Sequence, residues 1–127
     1  LDVSEPPPED PTAHFEAIRR RLATSDHFAR LGRHWTTHPE ELLASCEELR
    51  RRYSGYPELL ALVNSAAESV LNRKARFAYR RSFLGTAQMR YAAQLLEDQG
   101  RTAAFRQQRT LAMRLAEMAR ELAENAR

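Results

Sequence analysis

From Phe15 to Leu122 the apolar residues of this chain recur every three or four positions and nowhere alternate. That spacing places them on one face of a helix, whereas a half-buried strand needs a period of two. Phe15, Ile18 and Leu22 make a first run, Leu42, Cys46, Leu49 and Tyr53 a second, and Leu60, Val63, Ala67 and Leu71 a third. A shorter run carries Phe77, Tyr79 and Phe83. The last repeats Ala104, Gln108, Leu111, Leu115, Met118 and Leu122, an alternation of four and three that makes a coiled-coil-like seam. β-Branched residues are few, so the expected fold is all-α.

Helix boundaries follow from capping chemistry. Asp10-Pro11 is a start, with a capping acid and then a proline where a missing N–H costs nothing. Thr24-Ser25-Asp26 stops or re-caps the chain, and a short turn of helix with Phe28 and Leu31 ends at Gly32. Thr37 with Glu40 reads as a capping box for the next helix, which stops at Ser54-Gly55. Pro57 opens another, Asn72-Arg73-Lys74 marks a break, and the helix with Phe77 ends near Gly85. Gly100 is expected to separate two final helices, 86–99 and about 101–126, that pair as a hairpin. Before all of this, Glu5-Pro6-Pro7-Pro8-Glu9-Asp10 makes residues 1–10 a stiff, solvated linker, as in a piece cut from a longer protein. The expected organisation is a linker 1–10, an N-terminal helix 11–25, a helical core 26–84, and a C-terminal helix pair 85–127 packed on that core.

Composition narrows the function. At 127 residues, 43% hydrophobic and 29% charged, the chain is one ordinary domain with a single real core. No apolar run approaches the ~20 residues that cross a bilayer, so no membrane partner is expected. One cysteine, Cys46, excludes a disulfide framework and suits a reducing cytoplasm. Twenty basic residues against seventeen acidic leave a net charge of +3, and Lys74 is the only lysine. Arginine supplies planar donors suited to carboxylates, and its dominance also fits a GC-rich genome. Arg50-Arg51-Arg52 and the series Arg73, Lys74, Arg76, Arg80, Arg81, interleaved with Phe77 and Tyr79, are two basic clusters. If the helices lie side by side these merge into one patch for nucleic acid. Neither cluster lies on a recognisable helix-turn-helix reading helix, so nucleic-acid binding ranks below protein binding.

Catalytic and metal constellations are missing from the sequence. His34 and His38 lie four apart, but Thr37 and Pro39 begin a helix between them, and neither His27 nor Cys46 completes a site. Ser25-Asp26-His27 are consecutive and cannot converge as a triad. Cys46 sits on an apolar face, and Glu40-Glu41 and Glu47-Glu48 lie on solvated helix surface beside arginines. No glycine-rich phosphate loop exists. The expectation is a protein that is not an enzyme and takes no metal and no cofactor.

Residues 26–81 resemble a J domain, the helical module of DnaJ-type co-chaperones. Asp26-His27-Phe28-Ala29-Arg30-Leu31-Gly32 resembles the family's opening motif, and Thr37 through Tyr53 resembles its second helix with the basic end. Val63 to Leu71 resembles the third helix, and Lys74 to Arg80 the closing motif. The resemblance implies two antiparallel helices with a short helix at each end, and a partner surface at Arg50, Arg51 and Arg52, with Arg73 and Lys74 as further candidates. In working members the second helix is followed by His-Pro-Asp, which the chaperone ATPase requires. Here Ser54, Gly55 and Tyr56 stand in that place, in a much shorter loop. The resemblance therefore implies a degenerate module for which ATPase stimulation is not expected; a J-type co-chaperone with a non-standard partner is the alternative. The C-terminal pair resembles one tetratricopeptide-like helix pair, and its Leu111, Leu115, Met118 and Leu122 seam is a candidate for dimerisation. J-like segments behind a linker resemble parts of multidomain bacterial signalling or scaffold proteins.

Overall fold

The structure, a computed structural model, describes residues 11–127, with side chains from Glu16 onward except Arg21. The linker reading of residues 1–10 and the Asp10 cap lie outside the described residues. Among the described residues seven helices follow one another: α1 Pro11–Leu22, α2 His27–Arg30, α3 Pro39–Arg52, α4 Pro57–Val70, α5 Arg73–Phe83, α6 Thr86–Phe105 and α7 Arg109–Asn125. The described residues contain no strand. The fold is all-α: an antiparallel α3–α4 hairpin flanked by short helices, and a second hairpin of α6 and α7.

Local chemistry sets the boundaries. Asp26 caps α2, its carboxylate accepting from the Phe28 N–H at 2.9 Å. The α2 exit is a Schellman turn: Arg33 N–H bonds Phe28 C=O, Gly32 N–H bonds Ala29 C=O, and Gly32 takes the left-handed φ of 72°. Asn72 caps α5 through Ala75 N–H, and the Gln88 side chain returns to the Gly85 N–H at the start of α6. The cap of α3 differs from expectation. Pro39 is the first helical residue and His38 is the cap, its Nδ1 accepting from Glu40 N–H at 3.1 Å. Thr37 instead holds the preceding turn, its hydroxyl accepting from His34 N–H.

The largest correction concerns Gly100, which interrupts nothing. α6 runs through it, and the hairpin turns at Arg106–Gln108. Gln108 N–H bonds Ala103 C=O and Gln107 N–H bonds Ala104 C=O, a second Schellman turn with Gln107 at the left-handed position, φ 60°. Gly100 is buried where α7 crosses; a Cβ there would lie 3.5 Å from Ala112 O and from Leu115 Cβ. It is a packing glycine, and Ala104 and Gln108 belong to α6 and the turn rather than to α7.

Two apolar clusters form. One joins Leu22, Phe28 and Leu31 to Leu42, Cys46 and Tyr53 of the α3 face and to Leu59, Val63, Ala66, Ala67 and Val70 of α4. On α4 the buried face is thus centred on Leu59, Val63 and Val70, with Leu60 and Leu71 at its edge. The other unites Ala92, Ala93, Met118 and Leu122. Trp35, in the loop before α3, packs against both. Each fully buried aliphatic side chain contributes roughly 1.5–3 kcal/mol.

Candidate interaction surfaces and the buried arginine cluster

Beside the apolar bridge of Trp35, what fastens the second hairpin to the first is polar. Arg76 and Arg80, four apart on α5, are 3% and 0% exposed. Four-apart residues share one helix face, and this one looks onto Glu121 and Asn125 of α7, which are equally buried. Arg76 grips Glu121 with two hydrogen bonds, Nε to Oε2 at 2.9 Å and Nη2 to Oε1 at 2.6 Å. Its remaining nitrogen, Nη1, donates to the Val70 and Leu71 carbonyls, which the end of α4 leaves without an intrahelical donor. Arg80 lies 2.8 Å from Glu121 Oε2, donates to Asn125 Oδ1 and to Trp35 O, and stacks near the Phe28 ring. Asn125 completes the ring by donating to Phe77 O. Residues 76 with 121 and 80 with 125 share one offset of 45 positions.

Charge balance inside this cluster is uneven. Burial drives the Arg80 pKa down to about 10 against the pull of Glu121. Burial also pushes Glu121 up, yet the hydrogen bonds from Arg76 and the attraction of both arginines outweigh it and hold its carboxyl below the usual value. Two further contacts brace the rim: His38 Nε2 meets Glu117 at 3.0 Å, and Arg114 meets Glu40 at 2.7 Å. Arg73 is bound to Glu124 and lies over the Phe77 ring.

The residues suspected from sequence fall as follows. Arg50 donates to Asn64 Oδ1, and Arg51 and Arg52 both bind Glu48 of their own helix. Glu48 is consequently held below its ordinary pKa by the Arg51 hydrogen bond. Arg73 lines a cleft with His38 and Pro39 at the opposite end of α3 from Arg50–Arg52. At 1.5 Å per residue the 14-residue α3 separates the two basic clusters by ~20 Å. Arg76 and Arg80 are withdrawn into the core, so the two clusters do not merge into one patch. Lys74 and Arg81 flank Phe77 on the outer side of α5. Ser54 and Gly55 are exposed, and with Tyr53 and Tyr56 they close the α3–α4 turn through a Tyr56 N–H to Tyr53 O bond at 2.9 Å. Cys46 is buried, and burial raises its thiol pKa. Among the described residues no three His, Cys, Asp or Glu side chains gather as a metal site would need.

The seam on α7 divides in two. Met118 and Leu122, in its second half, are 2% and 0% exposed. They are consumed inside the chain and cannot serve a dimer. Leu111, in the first half, is 48% exposed, and with Leu115, Leu95 and Thr102 it lines an open groove between α6 and α7. Phe105, at the end of α6, is 90% exposed. The quartet of Arg76, Arg80, Glu121 and Asn125 was not visible as a unit in the sequence, although one signal existed. The seam 111, 115, 118, 122 continues at the same rhythm to 125, where an asparagine falls on a core position; a polar residue there requires a buried polar partner.

Fold and site together define an all-α protein of two helical hairpins, locked by a buried guanidinium–carboxylate cluster and bare along the free half of the second hairpin. No protein-family model, curated protein or solved structure matches the chain. No helix among the described residues is long and apolar enough to cross a membrane.

Proposed function

We propose that this chain is a non-catalytic protein-interaction module on a degenerate J-like scaffold, one element of a larger cytoplasmic scaffold or signalling protein. Its contact surface is the free half of the α6–α7 hairpin. The observation that carries this reading is the divided seam. The same face of α7 is sealed at Met118 and Leu122 and open at Leu111, where Leu115 and Leu95 line the groove beside it. Apolar residues grouped beside an existing intramolecular interface mark a place for protein contact. Arg51 and Arg52 favour this surface over the α3 end, because Glu48 already answers their charge.

The test is affinity capture with the intact chain from the cells that make it, comparing two variants of unchanged helicity. Leu111→Glu should abolish partner recovery, and Arg50→Glu with Arg51→Glu and Arg52→Glu should leave it intact. The reverse pattern refutes the assignment of the surface. Clear stimulation of a chaperone ATPase refutes the degenerate reading.

A further inference from the structure

We propose that the outer face of α5 is a second contact surface, shaped for an acidic helix of a partner protein. It goes beyond the α6–α7 groove and does not depend on it. α5 carries the basic residues Arg73, Lys74, Arg76, Arg80 and Arg81 and no acidic one. Carboxylates of α7 answer three of these charges: Glu121 serves Arg76 and Arg80, and Glu124 binds Arg73. The Lys74 ammonium and the Arg81 guanidinium meet no acceptor among the described residues, and both are exposed. With Phe77 and Ala78 they line an open depression that no carboxylate borders. In the first turn of a helix a cation opposes the macrodipole, so Lys74 weakens α5 until a negative charge meets it.

Spacing sets the chemistry of the occupant. Positions 74, 77, 78 and 81 share one face of α5. The two free cations stand ~10 Å apart along the axis, with the Phe77 ring and the Ala78 methyl between them. Phe77 is half-buried, which leaves part of its ring for an apolar neighbour. A partner helix of the same rhythm fits this face: a carboxylate, apolar side chains three and four residues on, and a second carboxylate at seven. Charge then meets charge at both ends and apolar meets apolar between them, the arrangement by which amphipathic helices are recognised. Nucleic acid is the poorer occupant. Its backbone draws affinity from many phosphate contacts, whereas this face offers two cations, and Arg50–Arg52 lie beyond the far end of α3. Arg73, 4.5 Å from the ring centroid, already covers one face of Phe77 against a stacking base.

The experiment uses the whole chain and a labelled synthetic peptide of about 20 residues, long enough to hold a helix. The peptide is rich in alanine and glutamine and carries Glu, Leu, Leu and Glu at the four matching positions; anisotropy reads its binding. A second peptide has Gln for both Glu, a third has Lys, and a single-stranded oligonucleotide is the fourth probe. The Glu peptide should bind and the Gln peptide should bind more weakly. Lys74→Glu with Arg81→Glu should weaken the Glu peptide about tenfold, as two exposed ion pairs become repulsions, and should gain the Lys peptide. That double variant breaks no contact within the described residues, so its helicity should be unchanged. Leu111→Glu should bind the Glu peptide as the native chain does, which separates this surface from the α6–α7 groove. No Glu-peptide binding at millimolar concentration, equal binding of the Glu and Gln peptides, or indifference to the double variant each overturns the proposal. An oligonucleotide held more tightly than the Glu peptide, and released steeply by salt, overturns it in favour of nucleic acid.

Discussion

Replacing Glu121 by glutamine is the sharpest perturbation of the joint between the hairpins. The side chain keeps its shape and loses its charge. Arg76 then forfeits an ionic grip made at 2.9 and 2.6 Å, and Arg80 its contact at 2.8 Å. Both guanidinium groups stay almost wholly buried. Removing one partner of a buried ion pair costs about 3–5 kcal/mol, because the remaining charge is left without compensation. Urea unfolding followed by the fluorescence of Trp35, the only tryptophan, reads the joint directly, since its carbonyl accepts from Arg80. With a urea slope of about 2 kcal/mol per molar, the midpoint should fall by ~1.5–2.5 M. A pH series gives the sign independently. Glu121 titrates below its ordinary value of 4.5 in the folded chain. Its stabilisation is therefore fully present above that value and is lost as pH falls through the lower, folded one. The glutamine variant should lack this acid-dependent component. A loss below 1 kcal/mol, or one no larger than that of Glu48→Gln on the exposed surface, would refute the clamp.

Two further substitutions probe the second hairpin. Gly100→Ala should stabilise the chain by about 0.5–1 kcal/mol, because its Cβ meets neighbours at ordinary contact distance and alanine favours the helix. Gly100→Val should lose about 1–3 kcal/mol by forcing α7 outward, and thermal melts of both that agree would refute the close crossing. Gln107→Gly should raise stability by about 0.5–1 kcal/mol by releasing a left-handed backbone that costs a side-chain-bearing residue ~1–2 kcal/mol. A lower melting temperature would show that the Gln107 side chain earns its place.

Helix number and most boundaries were legible because capping is local chemistry. Asp26, Pro57, Asn72 and Gly85 each act within a few residues of themselves. Thr37 and His38 differ by one position because imidazole Nδ1 can accept a bond as a hydroxyl does, and which of them caps depends on where Pro39 enters the helix. Gly100 was misread because glycine serves two physical ends, a left-handed turn and a close helix crossing, and only tertiary structure distinguishes them. The turn fell on Gln107, which carries no compositional mark. On α5 the aromatic pattern concealed the buried face: Phe83 is exposed while Arg76 and Arg80 are covered. Arginine reads as surface unless its carboxylate is known to lie opposite, and Glu121 is 45 residues away. The periodicity located the seam from Leu111 to Leu122 but ran it back through Ala104 and Gln108, which lie on α6 and the turn, and periodicity cannot say that half of the seam is covered inside the chain.

The equal offset within the quartet also gives the chain a signature. Arg76 and Arg80, then Glu121 and Asn125, form two four-residue steps held at a constant distance of 45 positions. No one of the four can change alone without stranding a buried charge or amide, so in diverging copies they should be replaced together, by a matched apolar set or not at all. The turns on either side of α6 are free to drift in length, and the 45-residue offset with them, whereas the step within each helix is not. A pattern written as two coupled spacings would thus find related chains after ordinary sequence identity has decayed.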